Sequence, residues 1–172
     1  MHKIFFVAVA VLIALTALTG TTFAKRSYRP VGVIIVDSAE TKLNNYFNTV
    51  EGLLNPKSRA RFFVGKDMQF QYQKYLIGFG KAESNEVESH ELTRDEMIEF
   101  TRLSGCTKVL FLVNSNAVDG DKTSLKVDAY LCTSDGVQET FTASETLDNP
   151  RERRSAFRKC LTEIVKTLNQ IL

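Results

Sequence analysis

The chain has 172 residues, with 22 Lys or Arg against 20 Asp or Glu and a formal net charge of +2. This nearly even balance argues against a dedicated nucleic-acid binder, because such proteins usually carry a strong excess of basic residues. Twelve Phe and no Trp are typical of an ordinary packed core and not of a platform of stacked indoles for carbohydrate. The length suits one domain with a hydrophobic core.

Residues 1–24 have the order of a secretory signal peptide. A positively charged start precedes an apolar run over 4–18, and Thr22 and Ala24 are the small residues that a signal peptidase reads. The run is too short for a comfortable membrane-spanning helix. We therefore expect a single domain over 25–172, exported to the periplasm or secreted and not stably inserted in a membrane. No cysteine directly follows the cleavage point, so we expect a soluble protein and not a lipoprotein.

The first half of the exported chain indicates strands separated by helices. Residues 31–36 are apolar on both faces, as in a strand covered on both sides of its sheet. A helix with one apolar face is predicted over 43–54. A second strand over 59–64 and an amphipathic helix over 68–79 follow. Residues 81–91 are acidic and without a pattern, which predicts a loop.

A third helix and a third strand come next. Thr93 and Glu96 have the spacing of a capping box, which predicts that a helix begins there. Phe100 and Leu103 are expected on the core face of this helix. The apolar run over 109–113 predicts a second doubly buried strand.

The remaining elements are a hairpin and a last helix. Residues 125–131 alternate between apolar and polar, a two-residue turn is predicted at 135–136, and 137–144 returns antiparallel. The last helix is expected to begin at Asn149 and Pro150. This order predicts an α/β (α+β) fold in which helices pack on the faces of a mixed, partly antiparallel sheet.

Three segments resemble the N-terminal TolB-like and the CsgG/LpoB-like α/β domains of bacterial envelope proteins. They are VGVIIVD at 31–37, LSGCTKVLFLV at 103–113 and LKVDAYLCTSDGVQETF at 125–141. The resemblance implies this fold and a non-enzymatic envelope module that binds other proteins. The chain lacks the usual proline after the first strand, the lipobox and the long membrane hairpin. No functional residue of that group has a clear match here.

Catalytic and metal sites find no support in the motifs. His90 is the one histidine of the exported part, and it lies in the acidic loop without a partner motif for nucleophilic catalysis. The cysteines are too far apart for a zinc site, and Asp119-Gly120-Asp121 is better explained as a turn than as a calcium loop. We therefore expect no enzyme activity, no cofactor and no metal.

Two groups of basic residues are candidate binding residues for an anion or an acidic partner. They are Lys57, Arg59 and Arg61 around the second strand, and Arg151, Arg153 and Arg154 at the start of the last helix. Free N–H groups at a helix start together with arginines suit a phosphate or a carboxylate. The alternative is a solvated charged face, which is the commoner outcome for a run of charges.

The three cysteines, Cys106, Cys132 and Cys160, match no disulfide framework. Our favoured interpretation is three small buried side chains. If one bridge forms, we expect it between Cys106 and Cys160, because each falls on the inner side of its element. A thiol-dependent function would need one exposed cysteine with a depressed pKa.

The sequence leaves two classes of function. The first is an accessory module that binds an envelope protein or a second copy of itself through a sheet edge or a helix face. The second is a binder of a small anionic ligand or an anionic glycan through the basic residues. Anions should stabilise the protein in the second case only, with strong dependence on salt.

Overall fold

The computed structural model describes residues 30–37, 44–55, 60–83, 90–119 and 122–172. The predicted signal peptide, Lys57 and Arg59 lie outside these ranges. Within them, no helix combines the length and the hydropathy needed to cross a bilayer.

Five strands and four helices make up the described chain. The strands are β1 (Pro30–Asp37), β2 (Arg61–Phe63), β3 (Lys108–Asp119), β4 (Lys122–Thr133) and β5 (Gly136–Leu147). The helices are α1 (Asn44–Leu54), α2 (Lys66–Gly78), α3 (Arg94–Leu103) and α4 (Arg153–Ile171), the last preceded by a 3₁₀ turn (Pro150–Glu152).

The strands form one mixed sheet in the order β2-β1-β3-β4-β5. β1 pairs in parallel with β2 and with β3, whereas β3–β4 and β4–β5 are antiparallel. The α/β fold with a mixed sheet is therefore confirmed. Since β1 lies between the two strands that follow it, the chain crosses the sheet once on each face. β2 and β5 are left as the two edges.

Apolar side chains cover both faces of the sheet, which explains the doubly apolar β1 and β3. On one face, α1 and α4 pack against alternate residues of the central strands, including Val33, Leu112 and Val127. On the other face, α2 and α3 pack against Ile34 and Phe111. The packing of β1 and β3 between two helical layers is the burial that their sequence predicted.

The capping box at the start of α3 is confirmed. The Thr93 hydroxyl accepts a hydrogen bond from the Glu96 N–H at 3.3 Å, and the Glu96 carboxylate accepts one from the Thr93 N–H at 2.9 Å. His90 Nε2 lies 3.1 Å from both oxygens of Glu96. Burial of Glu96 raises its pKa, but the bonds from Thr93 and His90 outweigh it and hold that pKa below the usual 4.5. This contact holds His90 against the start of α3, whereas residues 84–89 of the predicted loop lie outside the described ranges.

Two elements differ from the sequence prediction. β3 extends to Asp119 instead of ending near residue 113, because Asn114 to Asp119 continue the ladder with β4. Pairing with a neighbouring strand here overrides the low strand propensity of Asn and Asp. Leu103 was expected in the core, but its side chain is 57 % exposed at the end of α3.

Two neighbouring tyrosines of α2 differ in how their hydroxyls are satisfied, and this gives a first prediction. Both rings are buried, but the Tyr75 hydroxyl donates to Glu99 at 2.6 Å. The Tyr72 hydroxyl is buried with no hydrogen-bond partner in the described chain. We expect Tyr75→Phe to lower the free energy of unfolding by about 1 kcal/mol, and Tyr72→Phe to leave it unchanged or raise it. Urea unfolding at neutral pH measures both.

The same pair predicts a loss of stability in alkali. Burial raises the pKa of Tyr72 and of Tyr75 above the ordinary 10.0, and Glu96 and Glu99 respectively add to it. A raised pKa means that the stabilisation is complete below pH 10 and is lost as the pH rises above it, because the unfolded chain ionises first. Urea unfolding between pH 8 and pH 11 should show this loss, reduced in Tyr72→Phe. An equal loss in that variant would contradict the assignment.

Candidate functional site

The predicted basic residues do not form one patch. Arg61 begins β2 opposite Pro30, at the amino end of β1. Arg153 instead contacts Asp37, at the carboxyl end of the same strand. The two ends of this eight-residue strand are about 23 Å apart. The Arg61 side chain lies over the Phe63 ring at 5.3 Å, away from the arginines of α4.

Arg153 has a structural partner at the carboxyl ends of β1 and β3. Its Nη2 lies 2.7 Å from Asp37 Oδ1, and the two side chains are 11 % and 0 % exposed. Asn114 Nδ2 donates to the other oxygen of Asp37 at 3.0 Å, and Asn116 accepts from Arg153 Nη1. A carboxylate buried to this degree needs a paired cation. The pair therefore fixes the start of α4 to the centre of the sheet.

Arg151 and Arg154, by contrast, are exposed at the start of α4. Asn149 Oδ1 accepts a hydrogen bond from the Arg151 N–H at 2.9 Å and caps the 3₁₀ turn. Of the three arginines, the structure thus assigns one to an internal ion pair and leaves two on the surface.

The disulfide that we expected only if a bridge forms, between Cys106 and Cys160, is not present. All three cysteines are free. Cys160 packs in the core under α1 and α4, whereas Cys106 packs against the cluster under α2 and α3. The sheet separates the two cysteines. Each lies on the inner side of its element, but they lie on opposite faces of the sheet. Burial raises the pKa of Cys132 to about 12 and that of Cys160 to about 11, which disfavours a reactive thiolate at either position.

The remaining polar candidates stay apart. In the described ranges, no group of three or more His, Cys, Asp or Glu side chains comes together as a metal site. His90 bonds to Glu96, as given above. Asp119 ends β3 and pairs with Lys122 of β4. Residues 120–121, and with them the predicted turn, lie outside the described ranges.

The free edge of β5 is the surface that this fold leaves unpaired. β5 has twelve residues and pairs with β4 on one side, and no described strand pairs with its other side. Alternate residues of an edge strand direct their N–H and C=O groups outwards, ready to pair with another chain. The opposite edge, β2, has only three residues.

Beyond its hairpin end, β5 also lacks the devices that usually block such pairing. Natural edges carry Lys, Pro or a bulge that turns the strand away. β5 contains no Lys, Arg or Pro, and its centre, Thr140 to Ser144, is uncharged. A register shift opposite Leu131 and Cys132 lies near the hairpin end, and the ladder from Glu139 to Leu147 is regular.

A groove of about 420 Å³ runs beside this edge, between β5 and α4. Its strand side is formed by Ala143, Ser144 and Glu145, and its helix side by Lys159, Cys160, Thr162 and Glu163. We call it the edge groove. Lys159 bonds to Glu145 across it, and Lys166 lies 2.7 Å from Glu163 at its rim. A strand added to β5 would place alternate side chains in this groove.

The sequence predicted the β4–β5 hairpin but not that β5 would lie at the edge of the sheet. The alternation of 125–131 and the turn at 135–136 predicted the hairpin. That β5 would be an outer strand depends on the order of the sheet, which no local pattern encodes. The absence of Lys, Arg and Pro from 136–147 was the available signal.

Comparisons with known proteins find similar folds and no family. No protein-family model and no curated protein matches the chain. Among solved structures, it is similar to a PelC dodecamer from Paraburkholderia phytofirmans, at 13 % identity and a TM-score of 0.47, over 82 % of this chain and 88 % of that one. It is also similar to the LpoB C-terminal domain from Salmonella enterica, at 12 % identity and a TM-score of 0.43, over 71 % and 84 %. The lipoprotein GNA1162 from Neisseria meningitidis matches at 13 % identity and a TM-score of 0.37, over 83 % and 96 %.

LpoB belongs to the group that the sequence segments resemble, whereas the resemblance to TolB and CsgG domains stays a prediction. The expectation that this chain is not a lipoprotein also stays a prediction. At identities of 12–13 % and TM-scores of 0.37–0.47, the similarity establishes neither family nor shared function. The function proposed for this chain rests on its own geometry.

Proposed function

We propose that the protein is an exported, non-enzymatic accessory module of the cell envelope that binds a protein partner by adding a strand to β5. The free edge of β5 is the observation that carries this proposal. Strand addition supplies main-chain hydrogen bonds for affinity and side-chain positions for specificity. The edge groove offers such positions, with the small Ala143 at its strand side and charged residues at its rim.

The anion-binding alternative has less support. Of its candidate residues, Arg61 and Arg153 lie at opposite ends of β1, and Arg153 is paired with Asp37. The exposed Arg151 and Arg154 remain at a helix start, which is not by itself a site.

Photocrosslinking in the native envelope tests the proposal. A photoreactive amino acid in place of Thr142, on β5, should give a discrete protein adduct, identified by mass spectrometry. The same amino acid in place of Gln71, which is exposed on α2, is the matched control and should give none.

A charge variant makes the result specific to the edge. We expect Thr140→Lys/Ser144→Lys to abolish the adduct, since both side chains are exposed and lysines block strand pairing. Asn48→Lys/Gln71→Lys adds the same charges on α1 and α2 and should keep it. Adducts that survive the β5 variant, or that form equally from both positions, would overturn strand addition.

A further inference from the structure

We propose that the strand added to β5 is β5 of a second copy, so that two sheets join edge to edge around a twofold axis. This inference rests on the proposed function and names the partner at that edge. The joined sheet would have ten strands, with α4 of each copy on the same face. An antiparallel pair of strands related by such an axis is self-complementary. If residue i of one copy lies opposite residue j of the other, then residue j of the first copy also lies opposite residue i of the second.

The charges of β5 disfavour one register. A twofold axis perpendicular to the sheet keeps equivalent faces on the same side, so it lies midway between one residue of β5 and the same residue of the second copy. An axis beside Thr142 would place Glu139 directly opposite Glu145 of the second copy, and like charges in that position are destabilising. An axis beside Ala143 pairs Glu139 with Leu147 and Glu145 with Phe141 of the second copy, which avoids the repulsion.

The Ala143 axis also matches the shape of the edge. It uses the regular ladder from Glu139 to Leu147 in full and leaves out the irregular hairpin end. Ala143 lines the edge groove, so the axis lies beside the strand at the groove. Ala143 faces Ala143 of the second copy there, and this small side chain leaves room for the two α4 helices on that face.

The rim of the edge groove favours a second copy through its charge. Glu145 is bonded to Lys159, and Glu163 to Lys166. These four side chains therefore carry no net charge. Two such rims brought together by a twofold axis meet without net repulsion.

The opposite edge limits the assembly to two copies. β2 has three residues and begins with the exposed Arg61, so it offers little for a further strand. An interface that uses the same patch on both copies is closed, and it produces a dimer and not a fibre.

Light scattering coupled to gel filtration tests the inference on the purified protein. We expect a mass of twice the monomer. Thr140→Lys/Ser144→Lys should be monomeric, with the dissociation constant raised on the order of 100-fold, because each introduced lysine then lies diagonally across the interface from a lysine of the second copy, on the same face of the sheet. Asn48→Lys/Gln71→Lys should remain dimeric. Circular dichroism melts of all three establish that each variant is folded.

Hydrogen exchange of the unmodified protein tests the dimer without any substitution, so the misfolding of a variant cannot affect the result. Dilution should speed exchange of amides within Glu139–Leu147 and leave those of β1 unchanged. A monomer at all concentrations, or dilution effects outside β5, would overturn the dimer. If the protein is monomeric but Thr142 still crosslinks a different envelope protein, the dimer is wrong and strand addition stands. If neither a dimer nor an adduct forms, both are wrong.

Discussion

Replacement of Arg153 by Ala is expected to lower the free energy of unfolding by about 3–5 kcal/mol, because it leaves the fully buried Asp37 without its cation. For a chain of this size, the melting temperature should fall by about 10 °C. Urea unfolding followed by circular dichroism measures the first quantity and a thermal melt the second. The sequence had placed Arg153 in a binding patch, for which the expected effect on stability would be small.

The neighbouring arginine provides the matched control. Arg154 is exposed one residue further along α4, so Arg154→Ala should change the free energy of unfolding by less than about 0.5 kcal/mol. The double variant Asp37→Ala/Arg153→Ala should lose less free energy of unfolding than the two single variants lose in sum, because it leaves no buried charge unpaired. Equal effects of Arg153→Ala and Arg154→Ala would contradict the role of the ion pair.

The second large effect is expected for Phe100→Ala in the cluster under α2 and α3. The Phe100 ring is 2 % exposed, and its centre lies 5.3 Å from that of Tyr72, 5.6 Å from Tyr75 and 6.1 Å from Phe111. Removing it opens a cavity in a close-packed region, which costs about 3–5 kcal/mol. Urea unfolding with the change in Tyr fluorescence as signal measures this loss.

Leu103 is the control on the same helix. Sequence spacing assigned it to the core beside Phe100, but it is mostly exposed. Leu103→Ala should therefore change the free energy of unfolding by less than about 0.5 kcal/mol. A loss comparable with that of Phe100→Ala would show that the end of α3 is covered in solution.

Local patterns in the sequence predicted most of the fold. The doubly apolar runs in β1 and β3 reflect burial on both faces, and the capping box at Thr93 satisfies N–H groups of its own helix. Each of these signals comes from neighbours in the chain, so a single sequence contains it in full. The boundary of β3 was missed because its last residues are held by β4 and not by their own propensity.

The candidate site depended on information that local patterns do not contain. Asp37 and Arg153 are 116 residues apart in the chain and meet only after the sheet has formed. The separation of Cys106 from Cys160 depends on which face each helix covers. The exposure of β5 depends on strand order. In each case the relevant neighbour is distant in sequence, and one sequence carries no signal of it.

The position of α4 has a consequence for the time course of folding. Its nineteen residues supply a large part of the apolar layer over β4 and β5, and its first residue neutralises the end of β1. The chain therefore cannot complete that face, or stabilise the first strand it makes, until the last helix is present. Contacts of this sequence separation slow folding. A chain still being synthesised would remain incompletely packed, and open to a chaperone, until its C-terminal helix had emerged.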